Sequence, residues 1–475
     1  LRRTKIVCTI GPASASAETL ERLVRAGMDV ARLNFSHGSH GDHADVIRTI
    51  REGEARWGRP IAILQDLQGP KIRLGTFGPG GGGRVDLEAG REFVLSTHPV
   101  VGTAERASVN PPGVLAGVRV NDQILMDDGM IQLRVEHVTP DEVRCRVVAG
   151  GRISDHKGVA LPTVPVPVSC LTEKDRTDLE FGVQQGVDFI AVSFVRSAAD
   201  IREVRRLVHE QGADLPIVAK LERQEVIANL GGILAVVDAV MVARGDLGLD
   251  VPLEDVPHIQ KEIIRQAREA KVPVIVATQM LESMTTHLRP TRAEVSDVST
   301  AIFDGADAIM LSAETATGRY PVEAAQVMAR VAERAEDAVL KLDRPRQRPE
   351  TGGFPEAISE AAATAALVLR ARAIVAFTQS GFSARLISQE RPEVPIIALT
   401  PFVGVQRRLA LSWGVSSRLI RKVETTDEMI EEIEATLLGD GSVRTNDTLV
   451  IISGSPMWVT GTTNLMKLHR VGERR

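Results

Sequence analysis

A chain of 475 residues exceeds what one hydrophobic core fills, so two or three domains are expected. Hydrophobic residues at 43%, charged residues at 25% and a net charge of -5 exclude a disordered or collagen-like chain and leave no basic footprint for nucleic acid. No run approaches the ~20 apolar residues of a membrane span, the N-terminus lacks the apolar stretch of a secretion signal, and Cys8, Cys145 and Cys170 have no paired spacing, which together indicate a reduced, cytoplasmic protein with no membrane partner.

Short Val- and Ile-rich runs alternate with amphipathic stretches from the start of the chain. Lys5 to Ile10 reads as a strand, Ala17 to Ala26 as a helix, and Met28 to Asn34 and Ile61 to Leu67 as the next two strands. The texture changes between Gln68 and Pro165. Arg84 to Leu87, Phe93 to Leu95, Ile124 to Met126 and Ile131 to Val135 read as short antiparallel strands, with a tight turn at Asp127-Asp128-Gly129. The Gly80 to Gly83 run is a hairpin tip rather than a phosphate cradle, because no Lys-Ser/Thr follows it. Beyond this insertion the alternation resumes, with strands at Val187 to Phe194, Leu215 to Leu221, Val236 to Arg244, Val272 to Gln279 and Ala306 to Ser312. Helices are expected at Asp200 to His209, Leu253 to Ala270 and Val322 to Leu342.

Eight βα units with one insertion predict an α/β fold: a TIM (β/α)8 barrel interrupted after its third strand by a small β-barrel lid. A charged, proline-bearing linker, Asp343 to Glu350, leads to a C-terminal open α/β domain. Its strands are expected at Ala373 to Phe377, Ile396 to Thr400, Ser417 to Ile420 and Thr448 to Ser453. The expected domains are 1–67 with 166–342, 68–165, and 343–475.

In a TIM barrel the chemistry gathers where the strands end. The polar residues at those ends are Arg32, Asn34, Asp66, Ser193, Lys220, Glu222, Arg244, Asp246, Thr278, Ser312 and Glu314; Ser193 and Ser312 alone read as helix caps. Lys220 and Glu222, two apart, share one face of an extended strand. The bland reading is a surface ion pair. The next strand, however, brings Asp246 beside Glu222, and two carboxylates with room for water suit Mg²⁺. The amides of Gly245 and Asp246 form a small anion site. Arg32, Asn34 and Ser36 alternate onto one face, the guanidinium suited to a phosphate and the oxygens to a cation or water. His37, His40 and His43 lack helical i, i+4 spacing and read as a polar loop entering a helix rather than a zinc site.

These motifs resemble pyruvate kinase over almost the whole chain. The resemblance rests on Thr4 to Pro12, Arg32 to Gly38, Asp66 to Arg73, Lys220 with Glu222, Ala243 to Gly248, Ala277 to Met280 and Met310 to Thr315, in family order. It implies transfer of the phosphoryl group of phosphoenolpyruvate to ADP, giving pyruvate and ATP, with Mg²⁺ (or Mn²⁺) as cofactor, in a homotetramer. On this implication Lys220 stabilises charge on the transferring group and the enolate, Glu222 and Asp246 hold Mg²⁺, and Arg32 binds phosphate. The amides of Gly245 and Asp246 receive the substrate carboxylate, Thr278 lies near the protonated carbon, and Arg73 and Lys157 reach the nucleotide phosphates. A Schiff-base aldolase acting through Lys220 and a non-enzymatic sugar-phosphate sensor are the competing readings.

Many members of the family require K⁺, held at positions matching Asn34, Ser36, Asp66 and the carbonyl of Leu67. Those members typically carry Thr, Lys and Glu where this chain has Leu67, Gln68 and Lys71. Lys71 is expected to supply a fixed ammonium and make K⁺ dispensable. In the C-terminal domain, Thr378, Ser380, Gly381 and Ser383 lie between a strand and a helix, a ready phosphate site. By resemblance, with Gly461 to Asn464 nearby, this loop takes a sugar monophosphate or AMP as effector.

Overall fold

The computed structural model describes residues 2–78, 82–111, 113–162, 164, 169–339, 353–457, 459 and 461–473. The linker at 343–350, the expected boundaries at 165–166 and 342, and Gly80 and Gly81 lie outside those residues. Eight strands close a barrel in chain order: Lys5–Ile10, Val30–Asn34, Ala62–Asp66, Phe189–Val192, Ile217–Leu221, Ala239–Ala243, Val274–Ala277 and Ala308–Leu311, the first pairing with the last. They are called here the first to eighth strands. Each falls inside an expected run, and nearly every residue in them is buried, because a parallel sheet is covered on both faces.

The helices between strands begin and end where side-chain chemistry dictates. In the helix Ala17–Ala26, Ser16 caps the amide of Thr19, Leu20, Leu23 and Val24 fill the buried face, and Gly27 ends it at φ 115°, a conformation that costs glycine nothing.

At the N-terminal ends of the strands one interaction repeats four times. The aspartate just before each even strand accepts a hydrogen bond from an amide at or near the start of the preceding odd strand. Asp29 takes the amide of Ile6 at 2.9 Å, Asp188 that of Ile63 at 2.8 Å, Asp238 that of Ile217 at 2.9 Å and Asp307 that of Val274 at 2.9 Å. Each aspartate also meets arginine: Asp29 meets Arg2 and Arg59, Asp188 meets Arg51, Asp238 meets Arg205 and Asp307 meets Arg391, all at 2.6–2.8 Å. Charge-assisted bonds of this kind contribute roughly 1.5–3 kcal/mol each.

The chain forms two compact units, Leu1–Gln65 with Gln185–Phe189 and Ile264–Arg475, and Asp66–Gln184 with Ile190–Ile263. The second carries the β insertion. Its seven-stranded sheet runs Val159–Ala160, Gln123–Met126, Ile131–Val138, Glu142–Ala149, Glu92–Ser96, Arg106–Asn110 and Arg73–Leu74 in spatial order. A bridge between Arg73 and Gly158 and bonds of 2.9 Å from Leu74 to Lys157 and from Val159 to Ile72 join its two edges, so the sheet curls into the expected small barrel around Phe77, Phe93, Leu95, Met126 and Leu133. The strands Arg106–Asn110 and Glu142–Ala149 were not among the expected ones.

In the first unit the C-terminal layer is a five-stranded sheet in the order Val415–Leu419, Ile396–Thr400, Ala373–Phe377, Thr448–Ser453 and Leu465–Arg470. The last strand is antiparallel and unanticipated. Strand order reverses at Ala373–Phe377, which places a crevice beyond the ends of that strand and Thr448–Ser453. No helix among the described residues is long and apolar enough to cross a membrane.

The Asp29 clamp has a measurable acid signature. Burial pushes its carboxyl up, but Arg2, Lys5, Arg59 and the Ile6 amide together outweigh burial and bring it to about 2. An unfolded aspartate titrates near ~3.9, so the stabilisation is complete above about pH 4 and is lost as pH falls through about 2. Asp29→Asn should lower stability at neutral pH by on the order of 2–3 kcal/mol and flatten the acid limb between those limits. Urea titrations at pH 7 and pH 3 check it; an unchanged midpoint at pH 7 contradicts it.

Candidate active site

In the second unit the fifth strand ends in Lys220, Leu221 and then Glu222, so the expected alternation turns both charged side chains to one face. The Lys220 ammonium is buried among three oxygens: Ser193 Oγ at 2.7 Å, Glu222 Oε1 at 2.8 Å and Asp66 Oδ1 at 3.2 Å. Ser193 in turn donates its hydroxyl to the carbonyl of Leu67 at 2.8 Å. Glu222 Oε2 accepts the amide of Phe194 at 2.9 Å, holding that residue at φ 56°. Burial pushes the Glu222 carboxyl up, Lys220 draws it down, and the neighbouring charge of Asp246 pushes it up again.

Asp246 lies in the first turn of a short helix, Arg244–Asp250, which follows the sixth strand directly. The amides of Gly245 and Asp246 therefore belong to the first turn, where no carbonyl precedes them in the helix. Lys71 Nζ lies 3.8 Å from Asp246 Oδ1, both about a third exposed. Gly69, at φ 68°, passes so close to Ser193 and Phe194 that a Cβ there would meet each at 2.9 Å, so the chain reaches Lys71 only with glycine at this position. A cleft in this unit is lined by Lys71, Ile72, Asp128, Gly158, Glu222 and Asp246.

A divalent cation fits here. Glu222 and Asp246 repel each other, and Glu222 Oε1 is buried without a hydrogen bond although Lys220 attracts it across 2.8 Å. Among the described residues no three His, Cys, Asp or Glu side chains converge for a metal, so two carboxylates plus water and substrate oxygens are the available set, as Mg²⁺ prefers. In the lid, Arg73 donates to the carbonyl of His156 at 3.0 Å, and Lys157 beside it pairs with Asp127 at 2.7 Å. The structure thus brings together the two cations expected at the nucleotide.

In the first unit Arg32 donates to Thr9 Oγ1 at 2.9 Å, and Asn34 Oδ1 accepts the amide of Ser36 at 3.1 Å. His40 opens the helix His40–Trp57; His43 stacks on Phe35 at 4.2 Å and meets the carbonyl of His37 at 3.0 Å, which ties the loop to the first turn of the helix. Beyond the seventh strand, Thr278 and Gln279 adopt φ 70° and 54°. Consecutive left-handed residues with side chains cost about 1–3 kcal/mol each and mark a constrained turn. Thr278 donates to the carbonyl of Ala277 at 2.6 Å.

At the C-terminal crevice Thr378 Oγ1 accepts the amide of Gly381 at 2.9 Å, and Ser383 Oγ bonds Thr463 Oγ1 at 2.7 Å. A small pocket there includes Thr378, Ser380, Ser383, Met457, Gly461 and Thr462. Trp458 lies outside the described residues. Three contacts escaped the sequence reading, one of them at Asp66, which was expected only as a cation ligand. Ser193 is a contact of Lys220 rather than a helix cap, Asp66 is a partner of Lys220, and Arg385 donates to the carbonyl of Ser380 at 3.0 Å. Helical spacing from Gly381 was the available signal for Arg385.

Comparison with known proteins agrees with this geometry. Residues 1–325 match the family model "Pyruvate kinase, barrel domain" and residues 356–469 match "Pyruvate kinase, alpha/beta domain". A pyruvate kinase of Bacillus licheniformis is 46% identical over 100% of this chain and 81% of its own length. One of Corynebacterium efficiens is 45% identical over 99% of this chain and 98% of its own. A solved pyruvate kinase from Cryptosporidium parvum superposes with a TM-score of 0.90 at 35% identity, covering 99% of this chain and 96% of that one. A Schiff-base aldolase and a non-catalytic sensor are thereby set aside: the chain belongs to the pyruvate kinase family, enzymes that move the phosphoryl group of phosphoenolpyruvate to ADP and so produce pyruvate and ATP.

Proposed function

We propose that this chain performs that transfer with Lys220 as the group that neutralises charge on the phosphoryl oxygens and on the enolate left behind. The observation that carries the reading is the Lys220 ammonium held at a strand end by Ser193, Asp66 and Glu222. A cation so fixed needs no reorganisation as charge develops, which is where phosphoryl transfer gains most of its rate. Glu222 and Asp246 would hold Mg²⁺, or Mn²⁺, which supplies further positive charge to the phosphoryl oxygens. Arg32 binds the phosphate, the Gly245 and Asp246 amides receive the carboxylate, Thr278 stands at the carbon that is protonated, and Arg73 with Lys157 orients the nucleotide. The domain division that fits these roles is 1–67 with 166–342, 68–165 as a water-excluding lid, and 343–475 as the regulatory part, in a cytoplasmic homotetramer.

The first consequence is that Lys220→Met keeps the fold by circular dichroism but loses ~10²–10³-fold in kcat. A lactate dehydrogenase-coupled assay with phosphoenolpyruvate and ADP measures it, and more than a tenth of wild-type turnover would refute the assignment.

Potassium is the second point. Asp66 is already paired with Lys220 and the Leu67 carbonyl already accepts Ser193, while Lys71 brings an ammonium to the same unit. We propose that K⁺ is dispensable because Lys71 supplies its charge permanently. Turnover in tetramethylammonium should equal turnover in K⁺ at matched ionic strength, about 0.1 M, where the Debye length is ~10 Å. A tenfold rise on adding K⁺ would sink this, and Lys71→Glu should create such a dependence.

Regulation is the third. The crevice at Thr378, Ser380, Gly381 and Ser383 lies where strand order reverses, with Arg385 beside it, which suits one phosphate. A sugar monophosphate or AMP should lower the half-saturating phosphoenolpyruvate concentration of the tetramer isolated by size exclusion. No response to any of them removes the effector, and elution as a monomer removes the assembly.

A further inference from the structure

Glu314 has no role in the reading above, yet it is fully buried just past the end of the eighth strand. Its two oxygens are used separately. Oε1 accepts the amide of Leu281 at 3.0 Å and Oε2 the amide of Ser312 at 2.7 Å. Leu281 follows Thr278 by three residues, and the intervening turn is the left-handed pair Thr278 and Gln279. A carboxylate therefore spans two strand exits and fastens the far end of the one backbone segment among the described barrel exits that carries two successive left-handed side-chain-bearing residues. Thr315, the next residue, anchors the same short helix to the carbonyl of Thr9 at 2.8 Å, so the brace is itself fixed to the barrel. An ordinary helix cap would explain the bond to Ser312. It does not explain the bond to Leu281, 33 residues away.

We infer that Glu314 is the positioning residue for the proton-transfer half of the reaction: by holding Leu281 it keeps the Thr278 turn in the strained conformation that presents Thr278 to the enolate. This rests on the reading of Thr278 as the residue beside the protonated carbon. The step is balanced without a redox partner. The enolate formed when the phosphoryl group leaves gains a proton from a solvent water at its terminal carbon: the carbon–carbon double bond's electron pair forms the new C–H bond, an oxygen lone pair closes the ketone C=O, and the hydroxide left behind passes to the solvent. Glu314 holds the amides of Leu281 and Ser312, whereas Lys220 is held by Ser193, Asp66 and Glu222, so loss of the brace should fall on protonation rather than on phosphoryl transfer.

Glu314→Gln keeps the volume and one acceptor, and separates the two half-reactions. Deuterium entry into the methyl group of pyruvate in D₂O with ATP, followed by NMR, reads proton transfer; rapid-quench formation of ATP in a single turnover reads phosphoryl transfer. The exchange should fall roughly tenfold or more while ATP formation falls less than about threefold, with KM for phosphoenolpyruvate nearly unchanged. Glu314→Asp, too short to reach both amides, should behave like Glu314→Gln, and both should speed hydrogen exchange at the Leu281 amide. Equal losses in the two half-reactions, or no loss in either, would overturn the inference. Thr278→Val runs alongside. If it abolishes exchange while the Glu314 variants do not, only the role of Glu314 falls; if it leaves exchange intact, the reading of Thr278 falls first.

Discussion

A closed parallel barrel must hold the first residues of every strand without help from the turn before it, and here aspartate does so at alternate strands. Asp29, Asp188, Asp238 and Asp307 each accept a backbone amide of the preceding strand and each is faced by arginine. The arrangement converts eight strands into four clamped pairs. Registry within each pair is then set by a charged hydrogen bond whose acceptor is placed by its own strand, so a slip of one residue would strand a carboxylate in the interior at a cost of several kcal/mol.

At the opposite ends of the strands the same chemistry is put to a different use. Glu222 and Glu314 also accept backbone amides, but those of Phe194 and Leu281, in or just beyond turns bent into left-handed conformations, and, for Glu314, that of Ser312 as well. The aspartates regularise the chain where nothing reacts. The glutamates hold it irregular at the proposed site, and regular clamping at one end is compatible with strain at the other. Lys220 completes the contrast, since its three partners leave the ammonium little freedom to turn.

All eight barrel strands were legible because strands buried on both faces read as unbroken apolar runs, and the Lys220 and Glu222 pair was legible because their spacing admits only one face. Other elements were hidden for physical reasons. Leu465–Arg470 is a half-exposed antiparallel edge strand without β-branched residues, and Arg106–Asn110 is short and small. Glu142–Ala149 was readable in principle: Val143, Cys145 and Val147 are buried between exposed Arg144 and Arg146. The aspartate clamps left a trace in Gly27-Met28-Asp29, Gly186-Val187-Asp188 and Gly305-Ala306-Asp307, but their amide partners lie 21 to 125 residues away, beyond what spacing reveals. Ser193 read as a helix cap for the same reason, since Lys220 is distant in sequence.

The longest of those separations falls at the insertion. The β lid leaves the barrel after Asp66 and the chain returns before Phe189, so departure and return lie inside the pair clamped by Asp188 and Ile63. A further bond of 3.0 Å runs from Leu67 to the carbonyl of Ala191. The two ends of the excursion are thus stapled by the barrel's own hydrogen bonds, and loop-closure entropy grows only as the logarithm of the loop's length. For the barrel, the inserted domain is a detour whose size hardly matters: lid length and sequence can drift or be remodelled while the pocket floor beneath stays in register.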